Sequence, residues 1–335
     1  AMIISGMREG LILIDGDKNV LSCNEGAIHL LQAHITTNYI GHSVMGLCRD
    51  PEFMGAVNQA VHDQKASEIV LEVGGLYLRV YVSPAEGVPG AMILIVDASA
   101  HIRAEQQRKD FSANVSHELK TPLTSISGFA EMIESGMAQQ QDVAGFAGRI
   151  RLEASRLQYL IDDIMRLSEI EDGSNPGEWE NVPLMDVAKE TVETLSIEAQ
   201  ENGVAISCGG EPLTVDANRN MMEELMTNLL SNAVKYNRPG GTAHINVEKR
   251  GEMAAIMVSD TGIGIPPEHQ SRVFERFYRV DKSRSKQTGG TGLGLSIVRH
   301  IAEYHKGSVS LQSQEDVGTE ITVLLPIHQK TVQDQ

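Results

Sequence analysis

The chain has 335 residues, 41% apolar and 22% charged, and a formal charge of −17 at pH 7. That composition excludes wholesale disorder, and the length suits about two or three domains. So acidic a balance excludes a nucleic-acid binder, which needs basic surface to displace counterions. Cys23, Cys48 and Cys208 share no CxxC spacing; they fit a reducing compartment and read as small buried apolar side chains. No apolar run approaches the ~18 residues that span a bilayer, and no signal segment opens the chain. It begins at Ala1 rather than Met, which reads as a piece of a longer protein, with any membrane anchor upstream.

Residues 1–97 read as mixed α and β. Leu11-Ile-Leu-Ile14 and Val20-Leu-Ser-Cys23 are short strands flanking the turn-rich Asp15-Gly-Asp-Lys-Asn19, and a helical stretch runs from Glu25 to Leu31. Three more strands follow in 68–73, 76–82 and 91–96; the second alternates well through Leu76, Leu78, Val80 and Val82. From residue 98 the texture turns polar and helical. Two long helices are expected over 98–135 and 142–172, broken at Ser135-Gly136, with Gly145 and Gly148 weakening the start of the second. Ile150, Leu157 and Ile164, with Leu160 and Leu167, recur every seven residues, the spacing of a bundle seam. Asp172-Gly-Ser-Asn-Pro-Gly177 is a linker. Residues 178–328 mix helices, strands and glycine-rich loops, and 329–335 form a loose tail.

The first long helix carries Val115-Ser-His-Glu-Leu-Lys-Thr-Pro-Leu123. At about 100° per residue, Val115, Leu119, Ile126, Ala130 and Ile133 fall roughly 160–220° from His117, so the histidine should face solvent. Glu118 can hold the proton of one imidazole nitrogen and leave the other as a nucleophilic lone pair. Thr121 shares the histidine's face one turn on, and Pro122 should loosen or kink the helix there. Ordinary solvated surface is the competing reading of these side chains. The segment resembles the H-box of bacterial two-component sensor histidine kinases. The resemblance implies that His117 accepts the γ-phosphate of ATP. It implies that the two helices form a hairpin that dimerises into a four-helix bundle. It also implies that Glu118 and Thr121 form an ExxT phosphatase motif.

Three features recur in the second half. In Asn228-Leu-Leu-Ser-Asn-Ala-Val-Lys-Tyr236, residues Asn228, Asn232 and Lys235 share one helical face. Amide oxygens suit Mg2+ and a lysine suits phosphate. Asp260-Thr-Gly-Ile-Gly-Ile265 follows a strand, and Gly289-Gly-Thr-Gly-Leu-Gly-Leu295 opens a helix, where backbone N–H groups can meet phosphate. Alone each is a weak signal; in this order they resemble the N, G1 and G2 boxes of the histidine-kinase catalytic domain, with Phe274-Glu-Arg-Phe-Tyr-Arg279 as the F-box and Gly318-Thr319 as a further glycine box. The superfamily, shared with DNA gyrase and the ninety-kilodalton heat-shock chaperones, implies an α/β sandwich under a mobile lid. Carried over, Asn232 is the direct Mg2+ ligand with Asn228 assisting, and Lys235 meets phosphate. Asp260 accepts the adenine amino group, while Tyr236, Gly262, Gly264, Thr291, Gly292, Leu293 and Gly294 shape the ATP pocket. Arg279 is the lid arginine on the γ-phosphate. Residues 272–286 hold six basic and two acidic residues, a +4 segment in an acidic chain, which suits a polyphosphate. Gyrase-type members carry a glutamate base where this chain has Asn228, which favours phosphotransfer over hydrolysis.

The front domain resembles a PAS sensor domain by pattern. Its His29, His34 and His42 have no ligand spacing, so no haem or flavin is expected. The expected architecture is multidomain α+β: a PAS-like domain over 1–97, a helical signalling linker over 98–110, and a dimerisation and histidine-phosphotransfer hairpin over 111–172. A short linker over 173–177 leads to a catalytic ATP-binding domain over 178–328. The family implies ATP and Mg2+, a response-regulator receiver domain as partner, a homodimer, and a cytoplasmic location with any membrane contact through an anchor absent from this chain. The competing readings are a gyrase- or chaperone-type ATPase and a non-catalytic PAS scaffold or pseudokinase.

Overall fold

The computed structural model describes residues 7–34, 37–85, 87, 89–172, 178–280 and 290–328. The expected linker at 173–177, the tail at 329–335, Gly289 and positions 281–286 of the basic segment lie outside the described residues. The chain divides into two compact units, Ala1–Ala113 and Asn114–Gln335.

In the first unit, β1 (Gly10–Asp15), β2 (Val20–Cys23), β3 (Ser67–Val73), β4 (Leu76–Pro84) and β5 (Gly90–Asp97) form one sheet in the order β2-β1-β5-β4-β3, every pair antiparallel. The first turn is built by Asp15, whose Oδ1 accepts from the N–H groups of Asp17 (2.9 Å) and Asn19 (2.8 Å). α1 (Glu25–Leu30) and α2 (Pro51–His62) lie between β2 and β3. The sequence reading did not anticipate α2. Asp50 accepts from the N–H groups of Glu52 and Phe53, with Pro51 in the first turn, and this cap was its signal. Alternation places Leu78, Val80 and Val82 in a core shared with Ile12, Ile14, Ile93 and Ile95 and with Phe53 and Val57 of α2. At the sheet's exit, Asp97 Oδ1 accepts from Ser99 N–H (2.9 Å), and the Ser99 hydroxyl oxygen accepts from Tyr77 N–H (2.8 Å), which ties the start of α3 (Ser99–Glu134) to β4.

The second unit opens with the remainder of α3. This helix is unbroken through Pro122, where a loosening was expected. Gly136, at φ +73°, closes the turn, and α4 (Val143–Asp172) starts ahead of both Gly145 and Gly148. On α4 the expected seam residues Leu160 and Leu167 are buried.

Beyond the linker come β6 (Glu180–Pro183), α5 (Leu184–Glu201), β7 (Ala205–Gly210), β8 (Thr214–Ala217), α6 (Arg219–Lys235), β9 (Thr242–Arg250), β10 (Met253–Asp260), α7 (Pro267–Gln270), α8 (Gly294–Tyr304), β11 (Ser308–Gln314) and β12 (Gly318–Pro326). The main sheet runs β11-β12-β10-β9-β7, antiparallel except for the parallel β7–β9 pair, and β6 pairs with β8. Ile245, Val247, Ile256, Val323 and Leu325 of the sheet are buried with Met222, Leu225, Met226 and Leu229 of α6 and Ile297, Val298 and Ile301 of α8.

His305 closes this core. It is buried, its Nδ1 pairs with the Ile301 carbonyl at 2.8 Å, and its Nε2 accepts from Asn218 N–H at 3.2 Å. That pairing requires the neutral imidazole, and burial pushes its pKa below the usual histidine value. A histidine with a lowered folded pKa contributes stability that is complete above its unfolded value, about 6.5, and is lost as pH falls through the folded value. The only tryptophan, Trp179, lies 4.8 Å from the His305 ring, centroid to centroid. The thermal midpoint reported by Trp179 fluorescence is therefore expected to fall as pH drops from about 7 to about 5. In His305→Gln, which keeps a donor and an acceptor but does not titrate, the fall should be shallower.

Candidate functional site

α3 presents His117 as its periodicity requires. The side chain is 80% exposed, while Val115, Leu119, Ile126 and Ile133 are half-buried on the opposite face; Ala130, at the edge of that stripe, is exposed. Thr121 donates its hydroxyl to the His117 carbonyl at 3.2 Å.

Glu118 departs from its expected role. Its Oε1 lies 3.8 Å from His117 Nδ1, too long for a hydrogen bond. Its Oε2 accepts from Arg279 Nη2 at 3.1 Å, across 161 residues of sequence. Arg279, expected on the γ-phosphate, is only 9% exposed, and a guanidinium so far out of water needs a counter-ion. The structure thus brings His117, Glu118 and the F-box arginine into one place.

Beside them is a cavity of about 870 Å3. α6 lines it with Asn228, Asn232, Lys235 and, at its C-cap, Tyr236. These residues face the cavity because the other side of α6 is spent on the core. Asn228 Nδ2 donates to the Glu224 carbonyl at 3.0 Å, which leaves its amide oxygen against the start of α8. Lys235 Nζ stands 3.9 Å from Glu198 Oε1, a loose and partly exposed pair that leaves the ammonium available to an anion. Asp260, at the end of β10, also lines the cavity and accepts from Gly262 N–H at 2.8 Å. Burial pushes this carboxyl above its ordinary range, while the backbone donors of Gly262 and Thr319 pull it back.

Gly264, Thr291, Gly292 and Gly294 complete the wall. Gly292 sits at φ +77°, with Phe277 backbone 2.9 Å from where a Cβ would stand, so only glycine suits it. Two expected pocket residues stand behind the wall. Leu293 is wholly buried core and enters the loop only through its N–H, donated to Thr291 Oγ1 at 3.2 Å. Gly262 supports Asp260 and is not among the lining residues.

Sequence reasoning missed the contribution of α4. Ser155, Arg156, Tyr159 and Asp163 line the same cavity, and Asp163 Oδ2 accepts from the Thr291 hydroxyl at 2.6 Å. Helical spacing put these residues on one face, but nothing local marked that face as belonging to a site 128 residues away.

The assembly is a solvent-facing histidine whose neighbour Glu118 pairs with Arg279, a lining residue of a glycine-lined cavity with amide, lysine and carboxylate groups. Comparison with known proteins gives this arrangement a family. The His Kinase A (phospho-acceptor) domain matches residues 107–173, and the "Histidine kinase-, DNA gyrase B-, and HSP90-like ATPase" domain matches residues 217–329, together more than half of the chain. The sensor-like histidine kinase SenX3 of Mycolicibacterium smegmatis is 38% identical over 237 residues, 70% of this chain and 62% of that protein. The sensor histidine kinase WalK of Bacillus subtilis is 30% identical over 344 residues, 100% of this chain and 56% of that one. Among solved structures, the histidine kinase ThkA in complex with response regulator protein TrrA has a TM-score of 0.53 at 20% identity, over 98% of each chain, a likeness of fold. The chain belongs to the sensor histidine kinases. It spans between about half and three-fifths of the length of the curated relatives it matches. Among the described residues no helix is long and apolar enough to cross a membrane.

A Cβ on Gly294 would stand 2.7 Å from Asn228 Oδ1 and 3.9 Å from Asn232 Nδ2. Gly294→Ala is expected to push the Asn228 amide aside and weaken nucleotide binding by about 10-fold, on the order of 1.4 kcal/mol. Titration with a fluorescent ATP analogue checks this, and His117 should remain equally exposed to chemical modification.

Proposed function

We propose that the chain is a protein-histidine kinase that moves the γ-phosphoryl group of ATP to His117 and on to an aspartate of a response-regulator receiver domain. The observation that carries this reading is the ion pair that Arg279, a lining residue of the cavity, makes with Glu118, the residue next to His117 on α3. ATP occupies the cavity with its adenine amino group on Asp260 and its phosphates toward Lys235 and the Thr291–Gly294 loop. Asn232 and Asn228 would hold Mg2+; the Asn228 oxygen left toward α8 by its Glu224 bond fits that donor set. The ion would supply neutralisation of phosphate charge.

An imidazole nitrogen of His117 attacks the γ-phosphorus. The bond to the β-bridging oxygen breaks, and ADP leaves with that electron pair. Glu118 accepts the imidazole proton once Arg279 turns to the phosphate. The receiver aspartate then takes the phosphoryl group from phosphohistidine, and the Glu118–Thr121 pair serves the reverse role of dephosphorylating the regulator. The exposed apolar side chains Leu123, Met132, Ile161 and Met165 on the hairpin support pairing with a second copy as a four-helix bundle. The sheet order of the first unit supports a PAS-like sensor domain. Use of ATP supports a cytoplasmic place of action, with any anchor in a part of the protein outside this chain.

A gyrase-type ATPase is the other reading. Against it, Asn228 stands where that branch keeps a carboxylate base, and Glu224, one turn earlier, is not among the residues lining the cavity.

With γ-labelled ATP and Mg2+, the wild-type chain should acquire label and pass it to a receiver domain. His117→Ala should bind ATP normally and stay unlabelled, and Asn232→Ala should lose the Mg2+-dependent part of binding. Label retained by His117→Ala at the wild-type level contradicts the assignment.

A further inference from the structure

Two carboxylates of the helical hairpin engage groups that the nucleotide reading assigns to phosphate. Glu118 holds Arg279, and Asp163 holds Thr291. Thr291 lies in the glycine loop that opens α8. Its hydroxyl oxygen accepts from Leu293 N–H while its hydrogen is donated to Asp163, so the hydroxyl's donor is directed at the hairpin rather than at a ligand. Asp163 lines the cavity that also contains Lys235, and it lies within that lysine's field. Burial pushes the Asp163 carboxyl above its ordinary range, and the Thr291 hydroxyl and the Lys235 charge pull it back. A partly desolvated carboxylate held by the loop hydroxyl, near a lysine and a helix start, satisfies those groups as a phosphate oxygen would. The cavity therefore has two claimants for the same positive field, and they repel one another.

We propose that Asp163 and the nucleotide's terminal phosphates are alternative anions for the Thr291–Gly294 loop, so that docking of α4 on the ATPase domain and binding of nucleotide oppose each other. The proposal rests on the nucleotide reading above. Nucleotide entry breaks the Asp163–Thr291 bond and frees the domain from the hairpin face. Conversely, the docked state lowers apparent nucleotide affinity by the fraction of molecules it holds. Because the contact lies within one chain, the effect does not require a second copy.

The test is equilibrium binding of Mg2+ and AMPPNP, a non-transferring ATP analogue, to the whole chain. Asp163→Asn keeps the shape and removes the charge, and is expected to bind about 3- to 10-fold more tightly than wild type. Asp163→Ala should do the same, since the charge is the cause. In a Thr291→Val background, Asp163→Asn should gain less, because the contact is already gone. Affinity that is unchanged or weaker in both Asp163 variants overturns the proposal while leaving the nucleotide site standing. Binding by neither wild type nor Asp163→Asn removes the nucleotide reading and this proposal together.

Discussion

The nucleotide-facing side of the second unit depends on how α6 is rolled against its sheet. Met222, Leu225, Met226, Leu229 and Leu230 are fully or almost fully buried. At about 1.5–3 kcal/mol for each such side chain, their burial fixes the helix's rotation far more firmly than one amide–metal or lysine–phosphate contact could. Asn228, Asn232 and Lys235 occupy what is left of the circumference, and so they share the cavity. Gly294 lets α8 begin directly against the Asn228 amide. The polar site is a consequence of the apolar packing behind it.

Charge governs the hairpin side in a different way. An exposed ion pair is worth about 0–1 kcal/mol, but Arg279 is too buried to be treated as exposed. Its guanidinium must meet an anion, and either a carboxylate of α3 or a phosphate meets that need. Glu118 is likewise claimed twice, by Arg279 in this structure and by the His117 proton in the chemistry proposed. Arg279 with Glu118 and Thr291 with Asp163 both bind ATPase-domain groups to hairpin carboxylates. Together these two contacts hold the hairpin that carries His117 beside the cavity.

Much of this was legible in the sequence, for identifiable reasons. The face of His117 followed from the spacing of Val115, Leu119, Ile126 and Ile133, because a 3.6-residue period converts positions to directions. The two long helices were readable to within a residue of Ser99–Glu134 and Val143–Asp172. Gly145 and Gly148 look like breakers, but tertiary packing outweighs a propensity cost of about 1 kcal/mol each. α2 could have been read from the Asp50–Pro51 cap and from Phe53, Ala56, Val57 and Ala60 at helical spacing, but two of those four are alanines, a weak apolar signal between the stronger strand patterns. Asn228, Asn232, Lys235, Asp260, Gly264, Gly292 and Gly294, which line the cavity, could be singled out from sequence because each belongs to a compact local pattern. Asp163, Arg156 and Tyr159 could not, since their role exists only once α4 meets the cavity. Leu293 sits among residues that line the wall, but its own side chain is buried in the core, which its sequence context did not reveal.

The central claim is that phosphorus moves from ATP to one imidazole. Its most direct measurement is the position and chemistry of the phosphoryl group after incubation with Mg2+ and ATP, read by fragmenting peptides kept at alkaline pH. The account predicts a single acid-labile, alkali-stable phosphoramidate on His117. A phosphoester on a serine or threonine, or free phosphate released with no protein-bound phosphoryl group, would contradict it.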